Sequence, residues 1–135
     1  MKLLTKVSAL MSRNLITVTV HTPLAEAGEL LVKHGIHHLP VVNATGGLEG
    51  IIGKSDFLKV FTLDRDTASV KDIMSTHLAK LEPDDTIRTA ANLFALNKFH
   101  ALPVIDGGRL VGIITTLDVI RFVDGEQTQL GDYAK

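Results

Sequence analysis

The chain carries one pattern twice, and that tandem repeat restricts its fold more than any other feature. Met11 through Asn43 aligns with Met74 through Asp106 at a constant offset of 63. Leu48 through Phe61 aligns with Leu110 through Val123 at an offset of 62, because the first copy holds one extra residue near Thr45 to Gly47. Fourteen of the 47 aligned positions are identical. Each copy has Met-Ser, then His-x-Leu-Pro-Val, then Gly-Ile-Ile-x-x-x-Asp, in the same order. One copy this short buries too little surface alone, so two are expected to share a compact unit. A pseudo-twofold axis then implies two equivalent clefts, and what they hold is the functional question.

Local signals divide each copy into strand, helix, strand, strand, helix. In the first, Leu15–Val20 is a short β-branched segment. Thr22-Pro23 is expected to open a helix, with Thr22 as N-cap and Pro23 at the first helical position. Leu24, Ala27, Leu30, Leu31 and His34 follow helical spacing, and Gly35 is the expected stop. Ile36–Val42 and Leu48–Ile52 read as strands joined by a turn over Asn43–Gly47, and Gly53–Phe61 as a second helix. In the second copy, Asp84 or Asp85 is expected to cap a helix carrying Ile87, Ala90, Leu93, Phe94 and Asn97. Phe99–Ile105 and Leu110–Ile114 are strands around an Asp106-Gly107-Gly108 hairpin turn, and Thr115–Val123 is the closing helix. The middle strands are almost continuously apolar, which predicts burial on both faces.

Composition removes several function classes. At 135 residues, 45% of them hydrophobic, the chain builds one domain or two half-domains around an aliphatic core; it has five Phe, one Tyr and no Trp. A net charge of −1 argues against a sequence-independent nucleic-acid binder, which needs a basic stripe. The absence of cysteine excludes disulfides and thiolate chemistry and fits a reducing compartment. The N-terminus has too short an apolar run for a signal peptide, and no stretch reaches membrane-spanning length. The expected location is therefore the cytoplasm, with no membrane partner.

Together, the β-α-β-β-α repeat, His-x-Leu-Pro-Val in its middle strand and Gly-Ile-Ile-x-x-x-Asp before its last helix resemble the cystathionine-β-synthase (CBS) domain, which occurs in tandem pairs called Bateman modules. The resemblance covers residues 7–61 and 70–123, with 62–69 as a polar linker and 124–135 as a polar tail. It implies an α/β (α+β) fold in which two repeats pack through their sheets. It also implies clefts that hold adenine nucleotides (AMP, ADP or ATP, sometimes S-adenosylmethionine or a dinucleotide) and a regulatory role without catalysis. Such pairs commonly form flat dimers through their helices, here those at 24–34, 54–61, 87–97 and 116–123. No cofactor is required, the adenine nucleotide being a regulatory ligand, and the effector protein is unspecified.

The main cleft is expected around the second copy's last motif. A helix N-terminus offers unpaired N–H groups and partial positive charge to a phosphate, and Thr115 and Thr116 add hydroxyls there. Asp118, one turn on, suits the two hydroxyls of a ribose, as acidic residues do in other nucleotide folds. The resemblance assigns Thr115 and Asp118 these roles, and places His100 near a phosphate. It also brings Ile16, Thr17 and Ile36 to this cleft to flank the base, with Ser12 and Pro103 at its edge. By pseudosymmetry Ala79, Lys80 and Phe99 face a second cleft with Asp56, Ser55, His37, His38 and Pro40. A competing role for Thr115 and Asp118 is a capping box. Asp56 persists where Gly53 lacks a hydroxyl, which favours a ribose role, although a lone acidic residue in a first helical turn also answers the helix dipole. Ile16, Ile36 and Phe99 can equally be core, and Pro40 and Pro103 can simply limit strand pairing.

His34-x-x-His37-His38 has helical metal-ligand spacing, but Gly35 interrupts it and no fourth ligand is evident, so no metal site is expected. Three functions remain: a stand-alone regulatory module that binds an adenine nucleotide, a dimerisation or docking module with degenerate clefts, and an enzyme using His37 or His38 as acid–base. No nucleophile–base–orienter set or P-loop supports the last.

Overall fold

A computed structural model describes residues 2–64 and 66–125. The expected polar tail lies outside the described residues from position 126 onward. The architecture mixes helices with two small antiparallel sheets. A 3-10 turn at Val7–Ala9 is followed by α1 (Leu24–His34), β1 (His38–Val42), β2 (Leu48–Gly53) and a 3-10 helix, Lys54–Thr62. The second copy supplies α2 (Val70–Ile73), α3 (Ile87–Leu96), β3 (Ala101–Asp106), β4 (Arg109–Thr115) and α4 (Thr116–Val123).

The turns follow the local chemistry. Gly35 ends α1 with φ +60° and returns its N–H to the carbonyls of Leu31 and Val32. Gly107 and Gly108, at φ +59° and +79°, make the two central positions of the β3–β4 hairpin, where only glycine adopts both angles cheaply. The first copy's extra residue is absorbed by Asn43, whose Oδ1 accepts from the N–H of Thr45 at 3.0 Å and of Gly47 at 2.9 Å.

Three sequence expectations are corrected. Thr22 does not cap α1: Pro23 holds the N-cap position and the Thr22 hydroxyl accepts from the Thr19 N–H at 3.0 Å. Neither Asp84 nor Asp85 caps α3. Thr86 does, accepting from Thr89 N–H at 3.3 Å, while Asp85 accepts from the Glu82 N–H at 2.7 Å. Both helices thus start one residue later than their cap signals indicate, because the preceding polar side chain closes a turn of its own. Leu15–Val20 is not a full strand, since only Val18 forms a bridge, parallel to Val41, as Leu81 does to Val104 in the second copy.

The two copies exchange their leading segments. Val7 and Met11 are buried with Leu81, Ile87, Leu102, Val104 and Ile114 of the second copy. Val70 and Ile73 are buried with Val18, Leu31, Leu39, Val41 and Ile52 of the first. Backbone bonds fix both transfers. Ser12 and Ile113 exchange N–H···O bonds at 2.9 and 3.1 Å, and Ser75 and Ile51 do so at 2.9 and 3.0 Å. Each antiparallel pair is thereby flanked on one side by its own copy (Val18 or Leu81) and on the other by the opposite copy (Ser75 or Ser12). β1 and β3 end up central and carry the fully buried Leu39, Val41, Leu102 and Val104.

The repeated Met-Ser and Gly-Ile-Ile motifs are the two halves of this exchange. Met11 packs on Gly112 and Met74 on Gly50, so closely that a Cβ on either glycine would strike the methionine sulfur. At Gly50 that Cβ would also lie 2.9 Å from the Ser75 carbonyl oxygen, a backbone atom. Gly112→Ala and Gly50→Ala are each expected to destabilise the fold by about 1–3 kcal/mol through overpacking. In double-mutant cycles followed by urea unfolding, Met11→Ala should offset part of the Gly112→Ala cost. Met74→Ala should offset less of the Gly50→Ala cost, because the backbone contact remains.

Candidate functional site

The exchanged segments have to cross between the two sheets, and the first crossing walls a cavity of about 490 Å³. The chain leaves the β4 edge at Ser12 and reaches β1 at Val18, and Ser12, Asn14, Leu15 and Ile16 line the cavity between those points. The opposite wall is the β4–α4 junction, from Ile113 through Thr115, Thr116 and Leu117 to Asp118. Ile36, His37, His38 and Pro40 close it from the start of β1, Gly53, Lys54 and Ser55 from the end of β2, and His100 from the residue before β3.

Residues assigned by sequence to two separate clefts therefore stand around one cavity. Ser12, Ile16, Ile36, His100, Thr115, Thr116 and Asp118 are joined there by His37, His38, Pro40 and Ser55. Thr17 is exposed and does not line it, and Pro103 is fully buried. Ala79 and Phe99 pack against the second core, beside the exposed Lys80 on the other crossing segment. Asp56 lies behind the cavity wall, on the 3-10 helix. Sequence reasoning passed over Asn14, Leu15 and Lys54. Lys54 was readable, because it aligns with Thr116, a residue already placed at the cleft.

At the β4–α4 junction Thr115 and Asp118 take the capping role. The Thr115 hydroxyl accepts from the Asp118 N–H at 3.2 Å, and Asp118 Oδ2 accepts from the Thr115 N–H at 2.8 Å. This is a reciprocal capping box with Asp in the usual Glu position. It occupies one carboxylate oxygen. Oδ1 has no hydrogen bond or ion pair among the described residues. A carboxylate held by its cap on a cavity wall, with one oxygen uncommitted among the described residues, suits a neutral diol donor.

The equivalent carboxylate is committed on both sides. Asp56 Oδ2 accepts from the Gly53 N–H at 2.8 Å, and Oδ1 pairs with Lys59 Nζ at 3.0 Å. Lys59 also donates to the Ile73 carbonyl at 3.1 Å, tying the pair to the exchanged segment. The carboxylate caps the Gly53 N–H without any help from a hydroxyl. Retention of Asp in both copies thus has a backbone reason, which removes the sequence argument that it favours ribose.

Gly53 itself is explained across the strand pair. His38 opposes Gly53 in the first sheet, and Ala101 opposes Thr115 in the second. A Cβ on Gly53 would lie 3.3 Å from the His38 ring. Large and small have changed places, and an imidazole occupies the space that a threonine takes in the other copy. Burial, then the charges of His100 and His37, lower the basicity of His38 below the usual histidine range, against the opposing pull of Asp56. No group of three or more His, Asp or Glu converges as metal ligands among the described residues.

Asp118→Ala is expected to cost about 0.5–2 kcal/mol without any ligand, the range for a lost N-cap partner, measurable by denaturant unfolding. The His38 shift predicts an acid-side loss. Its folded value lies below the unfolded value of about 6.5, so near pH 6 the unfolded chain binds more protons. Its contribution is complete above the unfolded value and is lost as pH falls from there through the folded one. Unfolding series from pH 8 to 5 should show a shallower decline in His38→Gln.

The comparisons with known proteins follow the repeat. The CBS domain family matches residues 7–63 and 70–125. The L-aspartate semialdehyde sulfurtransferase of Methanocaldococcus jannaschii is 30% identical over 125 residues, 92% of this chain and 24% of that protein. The inosine-5'-monophosphate dehydrogenase of Korarchaeum cryptofilum is 34% identical over 108 residues, 79% of this chain and 22% of that protein. The chain thus spans about a quarter of these curated relatives. Among solved structures, CBSX2 in complex with AMP superposes with a TM-score of 0.79 at 30% identity, covering 88% of this chain and 96% of that one. The CBS domain pair of protein MJ0100, in complex with 5'-methylthioadenosine and S-adenosyl-L-methionine, gives 0.78 at 29% identity over 92% of this chain and 99% of that one. Two family matches in tandem, on a fold shared with solved CBS pairs, make this chain a member of the CBS domain family.

Proposed function

We propose that the chain is a regulatory module that binds an adenine nucleotide of the AMP, ADP or ATP type and transmits its occupancy through dimer conformation or contact with a partner. The observation that carries this reading is a cavity built from both repeats. Its volume lies within the usual range for small-molecule sites. It offers an apolar slot at Leu15, Ile16 and Ile36, a fixed carboxylate at Asp118, and a helix N-terminus with imidazoles nearby. These match the three parts of a nucleotide: base, ribose and phosphate. The adenosine compounds in the CBSX2 and MJ0100 structures support the same ligand class. Ligand in contact with both repeats would bias how the two sheets sit against each other, which is the requirement for a signal.

No catalytic role is assigned. Among the described residues the cavity histidines make no hydrogen bond to a hydroxyl or carboxylate. No described helix is long and apolar enough to cross a membrane, and we place the module in the cytoplasm. A homodimer is the assembly we favour. Val32 on α1, Leu58 and Phe61 on the 3-10 helix, Leu96 on α3 and Ile120 on α4 all leave large apolar side chains exposed.

A thermal-shift titration with AMP, ADP, ATP, NAD and S-adenosylmethionine tests the ligand. At about 100 times its Kd a ligand should add roughly 2.7 kcal/mol of stability, and at that same concentration Asp118→Ala should lose most of the shift while Asp56→Ala keeps it. No shift with any of the five would leave a docking module with vacant clefts. Sedimentation tests the assembly: Phe61→Glu with Ile120→Glu is expected to convert a dimer to monomer.

A further inference from the structure

Three imidazoles from two repeats surround one cavity. His37 and His38 arrive from the start of β1, and His100 from the residue before β3. Main-chain bonds hold two of them at helix starts. The Lys54 N–H donates to the His37 carbonyl at 3.2 Å, and the Thr116 N–H to the His100 carbonyl at 3.1 Å. None of the three rings is engaged in a hydrogen bond or ion pair among the described residues. The other charged groups facing them are Lys54 at the head of the 3-10 helix, Asp118 on α4, and Asp56 behind His38, already paired with Lys59. Asp118 is the one acidic residue on the cavity wall, against four groups that are or can become cationic.

We infer that this cavity is a proton-linked phosphate site, which takes its ligand as a dianionic phosphate and draws about one proton onto the imidazole cluster as it binds. The inference rests on the proposed nucleotide reading and names the ionic form and regulation of that same site. At His38 burial lowers the basicity most, and before ligand binds the charges of His100 and His37 oppose a proton there and lower it further. A dianion placed among the rings reverses the sign, because each protonated imidazole then gains a charge-assisted hydrogen bond. The balance is one ligand dianion plus one proton from solvent, giving a complex that carries both. No covalent bond changes. Affinity for a phosphate-bearing nucleoside therefore rises as pH falls toward the imidazole range, by up to about tenfold per pH unit per proton taken up. A nucleoside without phosphate binds with no such gain. The gain ends near pH 6, where the phosphate itself loses its second charge.

Calorimetric titration of the whole chain with AMP and with adenosine, at pH 6.5, 7.5 and 8.5, reads this directly. Paired buffers of different ionisation enthalpy count the protons. The expected result is AMP affinity that strengthens by roughly tenfold or more from pH 8.5 to 6.5, with uptake of about one proton, and adenosine affinity that stays flat. His37→Gln and His100→Gln alter exposed side chains and should each flatten the AMP profile in part; His38→Gln should flatten it further. Asp118→Ala should weaken AMP binding yet leave the pH dependence in place. AMP binding of equal strength at all three pH values, or a dependence that survives in the triple glutamine variant, would overturn the proton linkage and leave the nucleotide reading standing. Failure of both AMP and adenosine to bind at any pH would overturn both.

Discussion

The exchange of Met11-Ser12 and Met74-Ser75 between repeats is the contact on which the rest of the structure depends. Each methionine covers a glycine of the opposite copy, and each serine adds a rung to the opposite sheet. Without it β2 and β4 would be open sheet edges, and each hydrophobic cluster would lose a wall. The crossing also generates the site. A segment that must pass from one sheet to the other cannot pack fully on either, and Asn14, Leu15 and Ile16 are left lining the space between them. The cavity thus follows from the way two small cores are completed.

The two repeats share a backbone plan and differ in chemistry at matched positions. His38 faces Gly53 where Ala101 faces Thr115. Lys59 pairs with Asp56, whereas Arg121, which aligns with it, makes no such pair with Asp118 among the described residues. Both carboxylates cap the same kind of strand-to-helix junction, so capping alone does not separate them. What separates them is the second oxygen. In the first repeat it is tied through Lys59 to the exchanged segment; in the second it has no partner among the described residues. A duplicated scaffold can diverge in this way without strain, because each change is compensated within one cross-strand pair or one helical turn.

Much of this was legible in the residues, for identifiable reasons. Gly35, Gly107 and Gly108 announce their turns, because a positive φ leaves little choice of residue. The apolar runs of β1 and β3 announce central strands. Helix starts were less legible: Thr22 and Asp85 look like caps, but each closes a local turn one residue early. The capping box at Thr115 was readable as a motif, although its compatibility with a ligand role needed the second oxygen located. The resemblance carries Ile16 and Thr17 across to the other copy's cleft, but the packing of each methionine on the opposite glycine was not legible. Repeat arithmetic aligns Met11 with Met74 and Gly50 with Gly112, but it cannot tell whether a methionine meets the glycine of its own copy or of the other. For the same reason the sequence divided between two clefts a set of residues that the fold gathers around one.

The crossed arms also impose an order on synthesis. The first core is complete once Val70 and Ile73 have emerged. The second needs Val7 and Met11 to wait until Ile114 is made, about one hundred positions later. The arm holding Val7 and Met11 is therefore made well before the core it completes and is among the last of the described segments to be buried. Long-range closure of this kind slows folding and prolongs the exposure of apolar surface. A second nascent chain would offer the same glycine-floored groove to that waiting arm. The same exchange that joins two repeats within one molecule could then join two molecules, as a swapped dimer formed at the stage of translation.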